Sequence, residues 1–262
     1  MKEKIITQLH HIEKENHVKI IHAVESGSRM WGFASQNSDY DVRFLYISDP
    51  RYYLSVSKQR DCIEYVDKEY DLDMMGWDIK KALELLKKSN MSVYEWMNSP
   101  IIYITHADLK AFKKLADKYW EFKKLTYAYI RLAMRNYKAY ILNKKEIKFK
   151  KYLYIIRTIA ACMCIEKTGK LPAITIDDLM PFVEEDNKYV AGVLTDIVKA
   201  KQNGKELMDG TSDKKLNKWI EQKIKYYEQL ACNIEDTRTD YKAMDEFLYK
   251  IVSKEILAKN QK

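Results

Sequence analysis

Two short groups of residues in this sequence have types and spacing suited to chemistry. One is Gly27-Ser28, and the other is Asp39-Tyr40-Asp41. Gly27 permits a tight turn and lets backbone N–H groups come close to a ligand. Ser28 adds a hydroxyl that can donate to a phosphate oxygen. Asp39 and Asp41 stand two apart where a strand is expected, so their carboxylates point to one face. Like charges side by side repel, and a divalent cation between them offsets that cost. Mg²⁺ takes hard oxygen ligands and is usually held by one or two carboxylates plus substrate phosphates. The pattern therefore describes a phosphate-cradling turn followed by a Mg²⁺-binding carboxylate pair.

The flanking elements must position these groups. Apolar runs at Val18–Val24 and Val42–Ile47 predict strand, turn, short helix, strand, with the second strand spanning 40 to 48. Ser28 also suits a helix N-cap, and a helix N-terminus itself attracts phosphate. Arg29 is either a phosphate contact or a surface residue, and Trp31 reads as packing. Residues 2 to 15 form an amphipathic pattern with Ile5, Ile6, Leu9 and Ile12 on one stripe. Runs at 62 to 66 and 69 to 75 flank Asp67-Lys68 and predict a hairpin, with Asp71 and Asp73 sharing a face of its second strand. Asp78 is placed to cap a helix over 79 to 88. A short helix over 92 to 98 carries Glu95 and Trp96, and Ile101–Ile104 suits a final strand.

Composition narrows the class. With 262 residues, 47% apolar and 32% charged, the chain is globular and long enough for a substantial core. Only 7 glycines and 4 prolines interrupt it, which favours long helices. The formal net charge is +8 and the pI is about 9.0, which favours polyanionic partners. The four cysteines (Cys62, Cys162, Cys164 and Cys232) lack zinc spacing, and Cys162 and Cys164 read as buried thiols. The histidines are scattered, and His22, on an apolar strand, reads as structural. No signal peptide or membrane span is visible, so the expected setting is the cytoplasm, with no membrane partner.

Beyond about residue 105 the texture turns to long amphipathic helices, roughly 108 to 118, 121 to 142, 149 to 167, 187 to 202, 213 to 233 and 239 to 258. Between 105 and 151 there are 14 Lys/Arg against 4 Asp/Glu, with tyrosines interleaved. Such a segment suits nucleotide or RNA binding, and tyrosines at helical spacing equally suit a core. The dense run Lys144 to Lys151 reads as a solvated turn or a basic contact. Lys151, Tyr154 and Arg157 are three apart and stay near one another along a helix. Residues 168 to 186, with Gly169, Pro172 and Pro181, read as a connector with a short helix. The last helices suit dimerisation, RNA docking or core completion.

Gly27-Ser28 followed by Asp39-Tyr40-Asp41 resembles the signature of the DNA polymerase beta nucleotidyltransferase superfamily. The extended forms narrow the match: G-S-R-M-W-G with S-D-Y-D-V-R, then Asp73-Met-Met-Gly76-Trp77-Asp78 with Lys81-Ala82-Leu83, Glu95-Trp96 with Ser99-Pro100, and Lys151-Tyr152-Leu153-Tyr154 with Arg157. Together these resemble the RNA-repair-associated polymerase-beta-like branch. The catalytic resemblance covers roughly residues 17 to 100, thins from about 105 to 170, and ends there.

The resemblance implies an α/β (α+β) nucleotidyltransferase domain with a mixed sheet, residues 1–105, followed by an all-helical domain, residues 106–262, with the site in the cleft between them. It implies nucleotidyl transfer: an acceptor hydroxyl attacks the α-phosphate of a nucleoside triphosphate and pyrophosphate leaves. Asp39, Asp41 and Asp73 would be catalytic and would ligate two Mg²⁺ ions, with Mn²⁺ a possible substitute. The position of Asp73 relative to Gly76-Trp77-Asp78 favours it over its rival Asp71. Gly27, Ser28, Arg29, Lys81, Lys151 and Arg157 would contact phosphates and Tyr154 the base or sugar. The acceptor implied is an RNA end, with tRNA ends included. Two other functions stay open: nucleotidylation of a protein or small molecule, and a non-catalytic nucleotide or RNA sensor. Three carboxylates in place argue against a degenerate site. The sequence carries no signal for an oligomeric state.

Overall fold

Five strands form close to the apolar runs of the first 105 residues, and they build the sheet that carries the carboxylates. The computed structural model describes residues 1–204, 209–231 and 240–259. In chain order the elements are α1 (Lys2–Asn16), β1 (Lys19–Glu25), α2 (Gly27–Met30), β2 (Tyr40–Ile47), α3 (Pro50–Tyr53), β3 (Cys62–Asp67), β4 (Leu72–Asp78), α4 (Ile79–Leu86), α5 (Met91–Asn98), β5 (Ile102–Thr105) and α6 (Ala107–Ala116). They continue as α7 (Phe122–Tyr140), β6 (Glu146–Lys148), α8 (Lys150–Thr168), α9 (Ile176–Asp186), α10 (Lys188–Gln202), β7 (Asp209–Thr211), α11 (Lys214–Ala231) and α12 (Lys242–Lys259).

The chain makes two compact units. The first comprises Met1–Gly27, Asp39–Trp120 and the described residues of Asp236–Lys262, and the second comprises Ser28–Ser38 and the described residues of Glu121–Glu235. These units interleave along the chain, whereas the texture change suggested a division into 1–105 and 106–262.

In the first unit the strand order is β3-β4-β2-β1-β5. Only the β2–β4 pair is parallel, and the others are antiparallel. Ile5, Leu9 and Ile12 of α1 pack on Ile20, Ala23, Val42, Phe44, Tyr46, Leu72 and Met74. Ile20 and Ala23 are three apart yet share this core, because β1 has a register shift between Ile20 and His22. Gly76 sits opposite Phe44, and a Cβ there would lie 2.0 Å from the Phe44 ring. On the opposite face, Trp77 stacks on Trp96 of α5 at 3.8 Å, and Nε2–H of His22 donates to the Trp96 carbonyl at 3.1 Å. Asp78 caps α4 as expected, accepting from Lys80 N at 2.8 Å. Glu95 and Trp96 are buried in packing. α12 is fastened here by Lys254–Asp108 and Lys19–Glu255 ion pairs at 2.6 and 2.7 Å.

The second unit is built around α8, which is buried nearly all round from Tyr152 to Ile165. α7, α9, α10 and α11 surround it. Cys162 and Cys164 lie in this core as expected, while Cys232 falls outside the described residues.

Several local expectations are corrected. The hairpin turn is longer than Asp67-Lys68: β4 begins at Leu72, and Asp71 lies before it with φ at +46°. Asp71 therefore does not share a strand face with Asp73. The helical region contains a two-stranded antiparallel ribbon, β6 with β7, pairing Ile147 with Gly210. Three-residue strands so far apart in sequence leave no local periodicity to read. The stretch 168 to 186 contains the full helix α9, and Pro181 sits inside it rather than ending it.

Candidate active site

The glycine turn is required by what lies against it. Gly27 has φ at +59°, and a Cβ there would stand 2.1 Å from Asp41 Oδ2. No L side chain meets both conditions. The adjoining Ser26 N–H donates to the Asp41 carbonyl at 2.7 Å, which ends the β1–β2 ladder at this point. Thus the close approach permitted by Gly27 is an approach to a carboxylate of the next strand.

Asp41 is the second residue of β2, and Asp39 stands immediately before the strand, exposed. In the parallel β2–β4 pair, Asp41 is directly in register with Asp73. Period-two alternation puts Asp41, Arg43 and Asp73 on one face, opposite the core formed by Val42, Phe44 and Met74. Arg43 joins the two carboxylates. Its Nη2 donates to Asp41 Oδ1 at 3.1 Å and to Asp73 Oδ2 at 3.2 Å, and its Nη1 donates to the Asp73 carbonyl at 2.9 Å. Burial pushes the Asp41 carboxyl above the usual carboxylate range; Arg43 pulls it back, and the charges of Asp73 and Asp39 push it further up.

Beneath Asp41 lies Glu25, fully buried at the end of β1. Its Oε1 accepts the Asp41 backbone N–H at 2.9 Å, and its Oε2 accepts from the Tyr103 hydroxyl. Motif spacing along the chain does not single out Arg43, Glu25 or Tyr103 as site residues. The signal for Arg43 was present, since it is two residues after Asp41 and so shares its face. A lone glutamate closing an apolar strand was the corresponding signal for Glu25.

The remaining expected residues are distributed more widely. Lys81 donates to Asp61 at 2.8 Å and lies past the C-terminal end of β4, whereas Asp73 lies at its start. At about 3.3 Å per residue the intervening strand spans roughly 16 Å. Ser28 and Arg29 belong to the second unit with the rest of residues 28–38. Arg29 Nη2 donates to the Ser38 carbonyl at 2.6 Å and closes this loop on itself. Trp31 and Gly32 carbonyls accept from Ile176 N at 2.8 Å and Gln202 Nε2 at 2.9 Å, which fasten the loop to α9 and α10.

On α8 the Lys151-Tyr154-Arg157 series divides. Lys151 Nζ lies over the Tyr140 ring at 3.7 Å. Tyr154 joins Trp31 and Phe33, with ring centroids 5.8 and 5.9 Å away. Arg157 is 2% exposed, with its guanidinium over Trp31 at 4.0 Å. Lys201 Nζ lies 4.7 Å from the Phe33 centroid. Three rings and two cations thus form one cluster. Arg157 supports it from inside.

The donor set at Asp41 and Asp73 fits a divalent cation. Both offer hard oxygens, and each keeps one carboxylate oxygen outside the hydrogen bonds to Arg43. Among the described residues no three His, Cys, Asp or Glu side chains are already gathered as a ligand set. Among the described residues no helix is long and apolar enough to cross a membrane.

Comparisons with known proteins bear on this arrangement. The profile of the RNA repair pathway DNA polymerase beta family (RlaP) matches residues 1–250. The chain is 38% identical over 242 residues to the protein of Bacillus subtilis (strain 168) named uncharacterized protein YcgL, covering 92% of each chain. It is also similar to a crystallographically solved nucleotidyltransferase-like protein from Exiguobacterium sibiricum 255-15, with a TM-score of 0.33 and 16% identity over 87% of this chain and 74% of that one. A profile match over nearly the whole chain decides the assignment: the protein belongs to the RNA repair pathway DNA polymerase beta family and is a nucleotidyltransferase-class enzyme.

Proposed function

We propose that this enzyme transfers a nucleoside monophosphate from a nucleoside triphosphate to a hydroxyl at an RNA end, releasing pyrophosphate. The observation that carries the reading is the in-register pairing of Asp41 with Asp73 on adjacent parallel strands, with Asp39 at the strand's entry. These three carboxylates would hold two Mg²⁺ ions, and Mn²⁺ would substitute. Bound divalent cations would supply Lewis acidity, easing deprotonation of the acceptor hydroxyl and offsetting charge on the phosphates.

The chain's own residues supply the rest. The acceptor oxygen forms a bond to the α-phosphorus as the bond to the bridging oxygen breaks, and pyrophosphate carries away that electron pair. Asp73, with its side chain 51% exposed, takes the acceptor proton and passes it to solvent. The Gly27 turn and Ser28 hold the β- and γ-phosphates, with Arg29 shaping the loop that follows. Tyr154 and Lys151 stand on α8 in the second unit, where the resemblance gives them to the base or sugar and to the phosphates. Arg157 works through Trp31, holding the aromatic cluster in place. Lys81, engaged with Asp61, is assigned to the fold rather than to phosphate.

The acceptor class is supported by α7. Lys123, Tyr127, Arg131 and Arg135 recur every four residues on its exposed side, followed by exposed Lys138, and α7 contains no acidic residue. Cations interleaved with an exposed ring suit a phosphate backbone and unstacked bases.

The test is label transfer. The protein is incubated with Mg²⁺ or Mn²⁺, each α-labelled nucleoside triphosphate and total RNA, beside an Asp39→Ala/Asp41→Ala control. Label in RNA that is lost in the control is expected. Label on protein instead moves the acceptor to a side chain. Undiminished transfer by the control defeats the carboxylate mechanism.

A further inference from the structure

Arg43 is more constrained than its place on the surface of a sheet requires. Its side chain is 14% exposed, and its guanidinium makes four hydrogen bonds. Two go to backbone carbonyls, of Val42 at 3.0 Å and Asp73 at 2.9 Å. These fix the guanidinium plane between the two strands. The other two come from a single nitrogen, Nη2, shared by carboxylates from opposite strands. A planar, permanently charged fork suits this geometry, and a lysine ammonium would not reproduce it.

The parallel register leaves Asp41 and Asp73 side by side whatever else occupies the site. Without a positive charge between them, two carboxylates, one of them largely withdrawn from water, would repel. A divalent cation approaching the other oxygen of each carboxylate therefore meets a positive charge already in residence.

We infer that Arg43 is the resident counter-ion of the carboxylate pair: it holds Asp41 and Asp73 together when no cation is bound, and a divalent cation binds there in competition with its charge. The inference rests on the carboxylate reading given above. Arg43 acts through the carboxylates and is a positioning residue.

The experiment compares wild type with Arg43→Met, which keeps an unbranched apolar stem and removes charge and donors. Free Mn²⁺ is followed by electron paramagnetic resonance at pH 8 without nucleotide, and thermal unfolding is recorded in EDTA and in saturating Mg²⁺. Repulsion between a doubly charged ion and a guanidinium a few ångströms away is worth about tenfold in affinity even at the dielectric of water. Arg43→Met is therefore expected to bind Mn²⁺ at least about tenfold more tightly. It should melt below wild type in EDTA, and Mg²⁺ should close much of that gap. Arg43→Gln, neutral but still a donor, carries the same comparison if the methionine variant does not fold. Unchanged Mn²⁺ affinity, with equal loss of melting temperature in EDTA and Mg²⁺, overturns the inference in favour of a purely structural role. Weaker Mn²⁺ binding also overturns it. An Asp41→Asn control separates the two levels: if it binds Mn²⁺ like wild type, the carboxylate site itself is wrong.

Discussion

The buried Oε1 of Glu25 accepts the backbone N–H of Asp41 at 2.9 Å. The same side chain accepts from the Tyr103 hydroxyl, so β1 anchors the start of β2 and ties it to β5. Glu25→Ala would leave the Asp41 N–H and the Tyr103 hydroxyl without this acceptor. One unsatisfied, partly buried donor costs on the order of 1–3 kcal/mol, and the Asp41 N–H is that donor. The variant should therefore lose roughly that much stability by urea denaturation, and nucleotide transfer should fall further than the loss of folded protein explains.

Asp41→Asn should separate chemistry from folding. The asparagine keeps an oxygen for Arg43 and removes one of two facing charges. Its unfolding free energy should stay within about 1 kcal/mol of wild type. Transfer from an α-labelled triphosphate should fall by roughly two to three orders of magnitude. Near-normal turnover in a folded variant would remove Asp41 from the mechanism.

Gly27→Ala tests the close approach. The new Cβ would be placed 2.1 Å from Asp41 Oδ2 on a backbone with φ at +59°. A left-handed non-glycine residue alone costs about 1–2 kcal/mol. The substitution should lower stability by at least that and impair transfer, because Asp41 itself has to move. Wild-type activity would mean that the carboxylate tolerates displacement.

His22 sets a pH dependence of stability. It is 1% exposed, and burial, with a smaller contribution from Lys113, holds its pKa at about 4 against 6.5 for the free side chain. Well above pH 6.5 it is neutral folded and unfolded and adds no slope. As pH falls from 6.5 towards about 4, the unfolded chain takes up the proton first and stability drops. The full loss is on the order of 3 kcal/mol. Urea midpoints at pH 8 and pH 5 should differ for wild type, and His22→Gln should flatten that difference.

The exposed face of α7 predicts a salt effect. Arg131→Ala/Arg135→Ala should weaken RNA binding and reduce the slope of log affinity against log salt by about 1 to 2. Stability should change little, since both side chains are exposed and neither makes a salt bridge among the described residues. An unchanged slope would move the RNA contact elsewhere.

By itself the sequence determined the features that depend on near neighbours. The Gly27 turn, the Asp39-x-Asp41 pair entering a strand, the Asp78 cap and the stripe of Ile5, Leu9 and Ile12 follow from glycine's conformations, side-chain periodicity and capping chemistry. The family signature around Gly27, Asp39 and Asp41 was legible for the same reason. Only the tertiary structure decided which carboxylate faces Asp41. Asp71 and Asp73 look alike along the chain, but burial of Leu72 and Met74 in the core with Val42 and Phe44 sets the β2–β4 register. A one-residue slip would turn every one of those side chains to the other face. That register places Asp73 beside Asp41, leaves Asp71 in the turn, and closes Arg43 over both carboxylates. In the second unit, burial of α8 likewise turned Arg157 inward onto Trp31, although its spacing from Lys151 and Tyr154 suggested a shared surface. Local periodicity specifies which face a residue takes within its own element, and the packing of distant apolar surfaces decides what that face meets.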